Sequence, residues 1–147
     1  MSSNAIVFPT DFSDVSLAAL PWVMDMANQK DARIVCLYVV EEPQIYSSLD
    51  MGAIAVPTTG ELVASAESRL AGFVTEHLAN SPHGAEGQVV VGHAATEIVN
   101  GANEANATLI IMTTHGYGGV KHVLLGSTTE DVIRNASCPV LSIKNPA

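Results

Sequence analysis

Five short segments of the 147-residue chain are continuously apolar: Ala5–Pro9 (AIVFP), Arg33–Val40 (RIVCLYVV), Gln88–Val91 (QVVV), Thr108–Thr113 (TLIIMT) and Pro139–Ile143 (PVLSI). They are rich in Val and Ile and do not alternate with polar residues, the pattern of strands covered on both faces of a parallel sheet. Between them, apolar residues recur at helical spacing. Ser13 to Gln29 carries Val15, Leu17, Ala18, Leu20, Val23, Met24 and Ala27, with Ser13 as the expected N-cap. Pro21 falls inside this segment, so the helix either kinks there or starts later. Gly60 to Leu78 places Val63, Ala66, Leu70 and Phe73 on one face, and Thr96–Asn106 and Ser127–Ala136 complete the helical set. A helix in each connection between strands predicts a single doubly wound α/β domain over residues 1–147, with a mostly parallel sheet. Glu41 to Thr59 (EEPQIYSSLDMGAIAVPTT) has two prolines and no clean period. It reads as a long surface loop or as a flap over a ligand or partner site.

Composition narrows this picture. Hydrophobic residues make up 48% of the chain and charged residues 14%, which argues against a disordered chain. No apolar run approaches the roughly 20 residues that span a bilayer. The start, MSSNAIVFPTDFS, lacks the basic and apolar regions of a secretory signal. A soluble cytoplasmic protein is the resulting expectation. Cys36 lies in an apolar run and Cys138 precedes a proline, without metal-like spacing, so both are expected as buried free thiols.

Charge constrains the partner. Six basic residues face fifteen acidic ones, a formal charge of −9, and no Lys/Arg cluster exists. That argues against nucleic acid and against anionic membrane surfaces. An anionic ligand such as a nucleotide would have to be held by backbone N–H groups, a helix N-terminus or a metal ion.

In doubly wound sheets, ligands bind beyond the carboxyl ends of the strands, where the strand order reverses. The first strand ends in Pro9-Thr10-Asp11-Phe12-Ser13, where Asp11 starts a turn, caps a helix, or accepts bonds from a ribose hydroxyl or an amine. The second ends in Val39-Val40-Glu41, which offers backbone groups and an apolar wall. The fourth runs into Met112–Thr128, MTTHGYGGVKHVLLGST, with four glycines and two histidines. This is not a Walker A loop, since GxxxxGK[ST] is absent, and not a dinucleotide fingerprint, since Lys121 stands where a third glycine would be needed. Gly116 near the strand end and Gly126-Ser127 before a helix let backbone N–H groups approach an anion, with the helix dipole aimed at the same place. His115 and His122 have no third ligand at metal spacing, and no G-x-S-x-G elbow places Ser127 for a triad.

Together these residues resemble the universal stress protein family over nearly the whole chain. The resemblance rests on PTDFS (Pro9 to Ser13), LYVVEE closing the second strand, VGHAATEI (Val91 to Ile98), and the block from Met112 through SCPVLSIK. The nucleotide-binding branch of that family has Gly, two residues, Gly, nine residues, then Gly-Ser or Gly-Thr. The chain keeps Gly116, nine residues, then Gly126-Ser127. The resemblance implies a five-stranded parallel sheet of order 3-2-1-4-5 with helices on both faces. It also implies a homodimer, often through the last strand, here Val140, Leu141, Ser142 and Ile143. It assigns Asp11 and the Val39 backbone to the adenosine end of ATP, ADP or AMP, with Pro9, Thr10 and Met112 lining the pocket. The Thr113 backbone would lie near the ribose. Gly116, Gly126, Ser127 and Thr128 would hold the phosphates, assisted by Mg²⁺ or Mn²⁺, with no metal ligand among the side chains. Thr113 replaces the first glycine of the pattern; this is costly if the backbone there needs positive φ and harmless in an ordinary strand-end conformation, the favoured reading. The expected function is a dimeric regulatory or signalling module that binds adenine nucleotide, with hydrolysis at most slow and incidental. The alternative is a nucleotide-free dimeric interaction module of the same fold.

Overall fold

Side chains that alternate along each strand feed two separate hydrophobic layers. In β1 (Ala5–Pro9), Ile6 and Phe8 join one layer, while Ala5 and Val7 join the other. The same split runs through β2 (Arg33–Val40), where Ile34 and Cys36 oppose Val35 and Leu37. It recurs in β4 (Ala107–Thr113), where Leu109 and Ile111 oppose Ile110 and Met112. A strand with apolar groups on both sides must be covered on both sides, and helices provide the cover. The computed structural model describes residues 4–41, 58–114 and 126–144.

On one face lie α1 (Asp14–Leu17), α2 (Leu20–Lys30) and α3 (Thr59–His77), the last two burying Val23, Ala27, Leu70 and Phe73. On the other lie α4 (Ala94–Glu104) and α5 (Ser127–Asn135), burying Ala95, Ile98, Ala102 and Val132. The sheet is completed by β3 (Ala85–Val91) and β5 (Val140–Ile143), and its order is β3-β2-β1-β4-β5 with every pairing parallel. The fold is thus the single α/β domain expected, with five parallel strands in the order 3-2-1-4-5. β1 is flanked by β2 on one side and β4 on the other, so the chain reverses its direction of travel across the sheet between β1 and β4.

Two elements differ most from the sequence pattern, while α4 (Ala94–Glu104) is shifted by two residues from the expected Thr96–Asn106 and the other ends move by one. The helix expected over Ser13–Gln29 is two helices. Ala18 N–H donates to Val15 O at 3.1 Å and Ala19 N–H to Ser16 O at 3.2 Å, tight bonds that end α1 within one turn. Pro21 then falls in the first turn of α2, where its missing N–H has no intrahelical acceptor to lose. β3 begins at Ala85, three residues before the expected Gln88, because Ala85-Glu86-Gly87 lie on an edge strand that faces solvent and lack the apolar signature. Residues 42–57 of the expected loop lie outside the described residues.

Candidate functional site

The site is built first by the turn after β1. Thr10 N–H donates to Leu37 O at 2.9 Å, holding the strand end against β2. Asp11 Oδ1 accepts from both the N–H and the hydroxyl of Ser13. Ser13 is the N-cap of α1, its Oγ accepting from Ser16 N–H at 3.3 Å. Asp11 therefore does start a turn, as one reading of the sequence had it. Between them Phe12 has φ 65, in the left-handed region, which costs a bulky residue on the order of 1–2 kcal/mol. Its ring is stacked on Tyr38 at 4.7 Å, meets the Phe73 ring edge-on at 5.8 Å and carries the Arg69 guanidinium 4.6 Å from its centroid. These contacts offset the strain and fix the turn.

The opposite wall is built by β4 and α5. Gly126 is the N-cap of α5, and its N–H donates to Thr114 O at 3.1 Å. A Cβ at Gly126 would lie 3.2 Å from that carbonyl, while its φ of −69 is open to any residue. The glycine is thus favoured by close backbone approach and not by conformation. The Thr129 hydroxyl, buried, donates to Thr113 O at 3.1 Å, so the first turn of α5 is fastened twice to the end of β4. No described side chain caps that helix, and its first turn, Gly126 to Thr129, lines the crevice. Thr113 is paired with Ile143 in β4 and is not among the residues of positive φ, so its backbone has the ordinary strand-end conformation.

Between these walls lies a cavity of about 630 Å³, within the usual range of small-molecule sites. Nine of the ten residues singled out from the sequence line it: Pro9, Thr10, Asp11, Val39, Met112, Thr113, Gly126, Ser127 and Thr128. The tenth, Gly116, lies outside the described residues, as do His115, Lys121 and His122. Pro9, Leu37, Val39, Ile98 and Met112 supply apolar wall, and hydroxyls of Thr10, Ser16, Thr114, Ser127 and Thr128 belong to residues of the lining. Asp11 and Glu41 are the charged residues among the described lining, which contains no Lys, Arg or His. Glu41 Oε1 accepts from Ala94 N–H at 3.3 Å, so this carboxylate caps α4 at the rim.

The sequence pattern missed Ser16, Tyr38, Thr114 and Thr129, and at Glu41 it read the backbone and not the carboxylate. Ser16 follows the N-cap by three residues and Thr129 precedes buried Val132 by three, so each occupies an inward helical position that could have been noticed. Tyr38 and Glu41 reach the cavity only because β2 lies beside β1.

Fold and cleft define a doubly wound α/β protein with its site at the switch point between β1 and β4. The chain belongs to the universal stress protein family, which it matches across residues 3–144. Universal stress protein MJ0531 of Methanocaldococcus jannaschii is 34% identical over 147 residues, a span covering 96% of this chain and 82% of the relative. MJ0577 of the same organism is 31% identical over 152 residues, covering 95% and 93%. The solved structure of MJ0577 has a TM-score of 0.80 at 29% identity, covering 99% of each chain. A universal stress protein from Archaeoglobus fulgidus in complex with dAMP has a TM-score of 0.66 at 22% identity, covering 96% of this chain and 98% of its own. Another universal stress protein, in complex with cAMP, has a TM-score of 0.69 at 22% identity, covering 97% and 98%. At that identity the last two likenesses concern the fold.

Proposed function

We propose that this universal stress protein is a cytoplasmic dimeric regulatory module that binds ATP or a related adenine nucleotide in the cavity between β1 and β4. The observation that carries this reading is the junction of β4 and α5. There Gly126 brings backbone within a Cβ's reach of the Thr114 carbonyl, and the helix N-terminus has no described side-chain cap. Such a terminus offers partial positive charge and N–H donors to phosphate without any cationic side chain. That suits a chain of net charge −9 and a described lining without Lys or Arg.

In this reading Asp11 and the Val39 backbone take the adenosine end, against Pro9, Thr10 and Met112. The Thr113 backbone lies by the ribose, and Gly126, Ser127, Thr128 and Gly116 hold the phosphates. Mg²⁺ or Mn²⁺ on the phosphates would supply the charge neutralisation that the lining lacks. Family members that carry dAMP and cAMP support an adenine nucleotide as the ligand class. Both cysteines are unpaired, which agrees with a reducing compartment. Among the described residues no helix is long and apolar enough to cross a membrane.

Calorimetry with ATP and Mg²⁺ tests the assignment. Wild-type protein is expected to bind, whereas Gly126→Leu, whose backbone φ is allowed and whose added side chain crowds the Thr114 carbonyl where α5 meets the cleft, is expected to lose binding with its circular dichroism unchanged. Equal affinity in the two proteins would contradict the site.

A further inference from the structure

Ser16 lies behind the turn that carries Asp11, 3% exposed, and it lines the cavity wall. Its Oγ is 2.9 Å from Ser13 O, a contact in which only the hydroxyl can donate. The single proton of Ser16 is therefore committed. Ser16 Oγ is also 2.9 Å from Thr10 Oγ1, where either atom could be the donor on geometry alone. With the Ser16 proton spent, Thr10 must donate. Thr10 Oγ1 in turn accepts from Phe12 N–H at 3.1 Å. The direction of the whole chain follows: Phe12 N–H to Thr10 hydroxyl, Thr10 to Ser16, Ser16 to the Ser13 carbonyl.

We infer that Ser16 is a positioning residue for the nucleotide site, acting through Thr10 to hold the Asp11 turn in its strained form. Both hydroxyls are buried, so the chain competes with little water, and losing one member strands the next donor. The chain spans the residue of positive φ, Phe12, and its two flanks, and so opposes relaxation of that residue toward an extended conformation. Relaxation would swing the neighbouring Asp11 away from its bonds to Ser13 and from the cavity. Thr10 lines the cavity as expected of it, but its hydroxyl proton is already given to Ser16.

The affinity arm of the test rests on the nucleotide reading above; the exchange arm does not. Amide hydrogen exchange at Phe12 is followed by NMR in the ligand-free protein, and Mg·ATP affinity by calorimetry, for Ser16→Ala, the isosteric Thr10→Val, their double variant and Thr10→Ser. Ser16→Ala and Thr10→Val are each expected to speed Phe12 exchange and weaken Mg·ATP by roughly tenfold, since each breaks the chain at the Thr10–Ser16 hydroxyl bond. The double variant is expected to be no worse than either single change, since both cut one chain. Thr10→Ser, which keeps the hydroxyl, is expected to match wild type in Phe12 exchange. Unchanged Phe12 exchange in Ser16→Ala, or effects that multiply in the double variant, would overturn the inference. Should Ser16→Ala not fold, Thr10→Val against Thr10→Ser carries the same comparison. Wild type that binds no Mg·ATP but shows the expected exchange pattern supports the hold of Ser16 on the Asp11 turn and removes the nucleotide reading instead.

Discussion

At the scale of single residues, Thr113 and Cys36 show how far the side chain decides behaviour. Thr113, which the family resemblance aligns with a glycine of the nucleotide-binding branch, has an ordinary strand backbone, and its carbonyl is held by the Thr129 hydroxyl. Threonine therefore meets no backbone conformation there that calls for glycine. Cys36 is fully buried, and burial pushes its thiol up to about 12 from an ordinary value of 9.0. Above about pH 9 the unfolded chain releases this proton while the folded chain keeps it. The folded state then binds more protons, so stability falls as pH rises, by up to about 1.4 kcal/mol per pH unit until the folded thiol titrates. Urea unfolding midpoints measured from pH 8 to 11 are expected to fall more steeply for wild type than for Cys36→Ala. Parallel curves would show that the thiol contributes no pH dependence.

At the scale of elements, the strands were legible because β1, β2 and β4 bury both faces and so carry continuous apolar runs. The start of β3 was not legible. Its exposed Glu86 and Gly87 look like a turn until α3 is laid across them. Gly87 meets α3 so closely that an added Cβ would fall 2.8 Å from Leu70 Cγ. Gly87→Ala is expected to destabilise the protein by about 1–3 kcal/mol through overpacking, measured by chemical denaturation; an unchanged midpoint would show that Leu70 can move aside without cost. The break between α1 and α2 was half legible: Pro21 announced it, but the tight bonds of Ala18 and Ala19 depend on backbone geometry that periodicity does not encode. The site followed the same division. Residues at strand ends could be read from position, whereas Ser16 and Thr129 act through buried hydroxyl bonds that appear only once helix and strand are packed.

At the scale of the whole molecule, the sheet order brings two distant segments together, the turn after β1 and the entry to α5, and leaves β5 at one edge. The carbonyls of Pro139 and Ile143 face β4, accepting from Ile110 and Thr114 N–H. Because strand residues alternate, the N–H groups of Val140 and Ser142 point outward along the free edge. Proline at 142 would remove an outward donor and spare the bonds to β4. If the dimer forms through this strand, Ser142→Pro is expected to sediment as a monomer and retain its circular dichroism; a dimer of unchanged strength would place the interface elsewhere. The central claim is occupancy of the cavity between β1 and β4 by adenine nucleotide. The most direct measurement is to denature freshly purified protein and chromatograph the supernatant for adenine absorbance at 260 nm. We predict that adenine nucleotide is released from wild type and is missing from Gly126→Leu. Equal amounts from the two proteins would contradict the site, and a wild-type supernatant without nucleotide, from protein that also fails to bind Mg·ATP, would contradict the function.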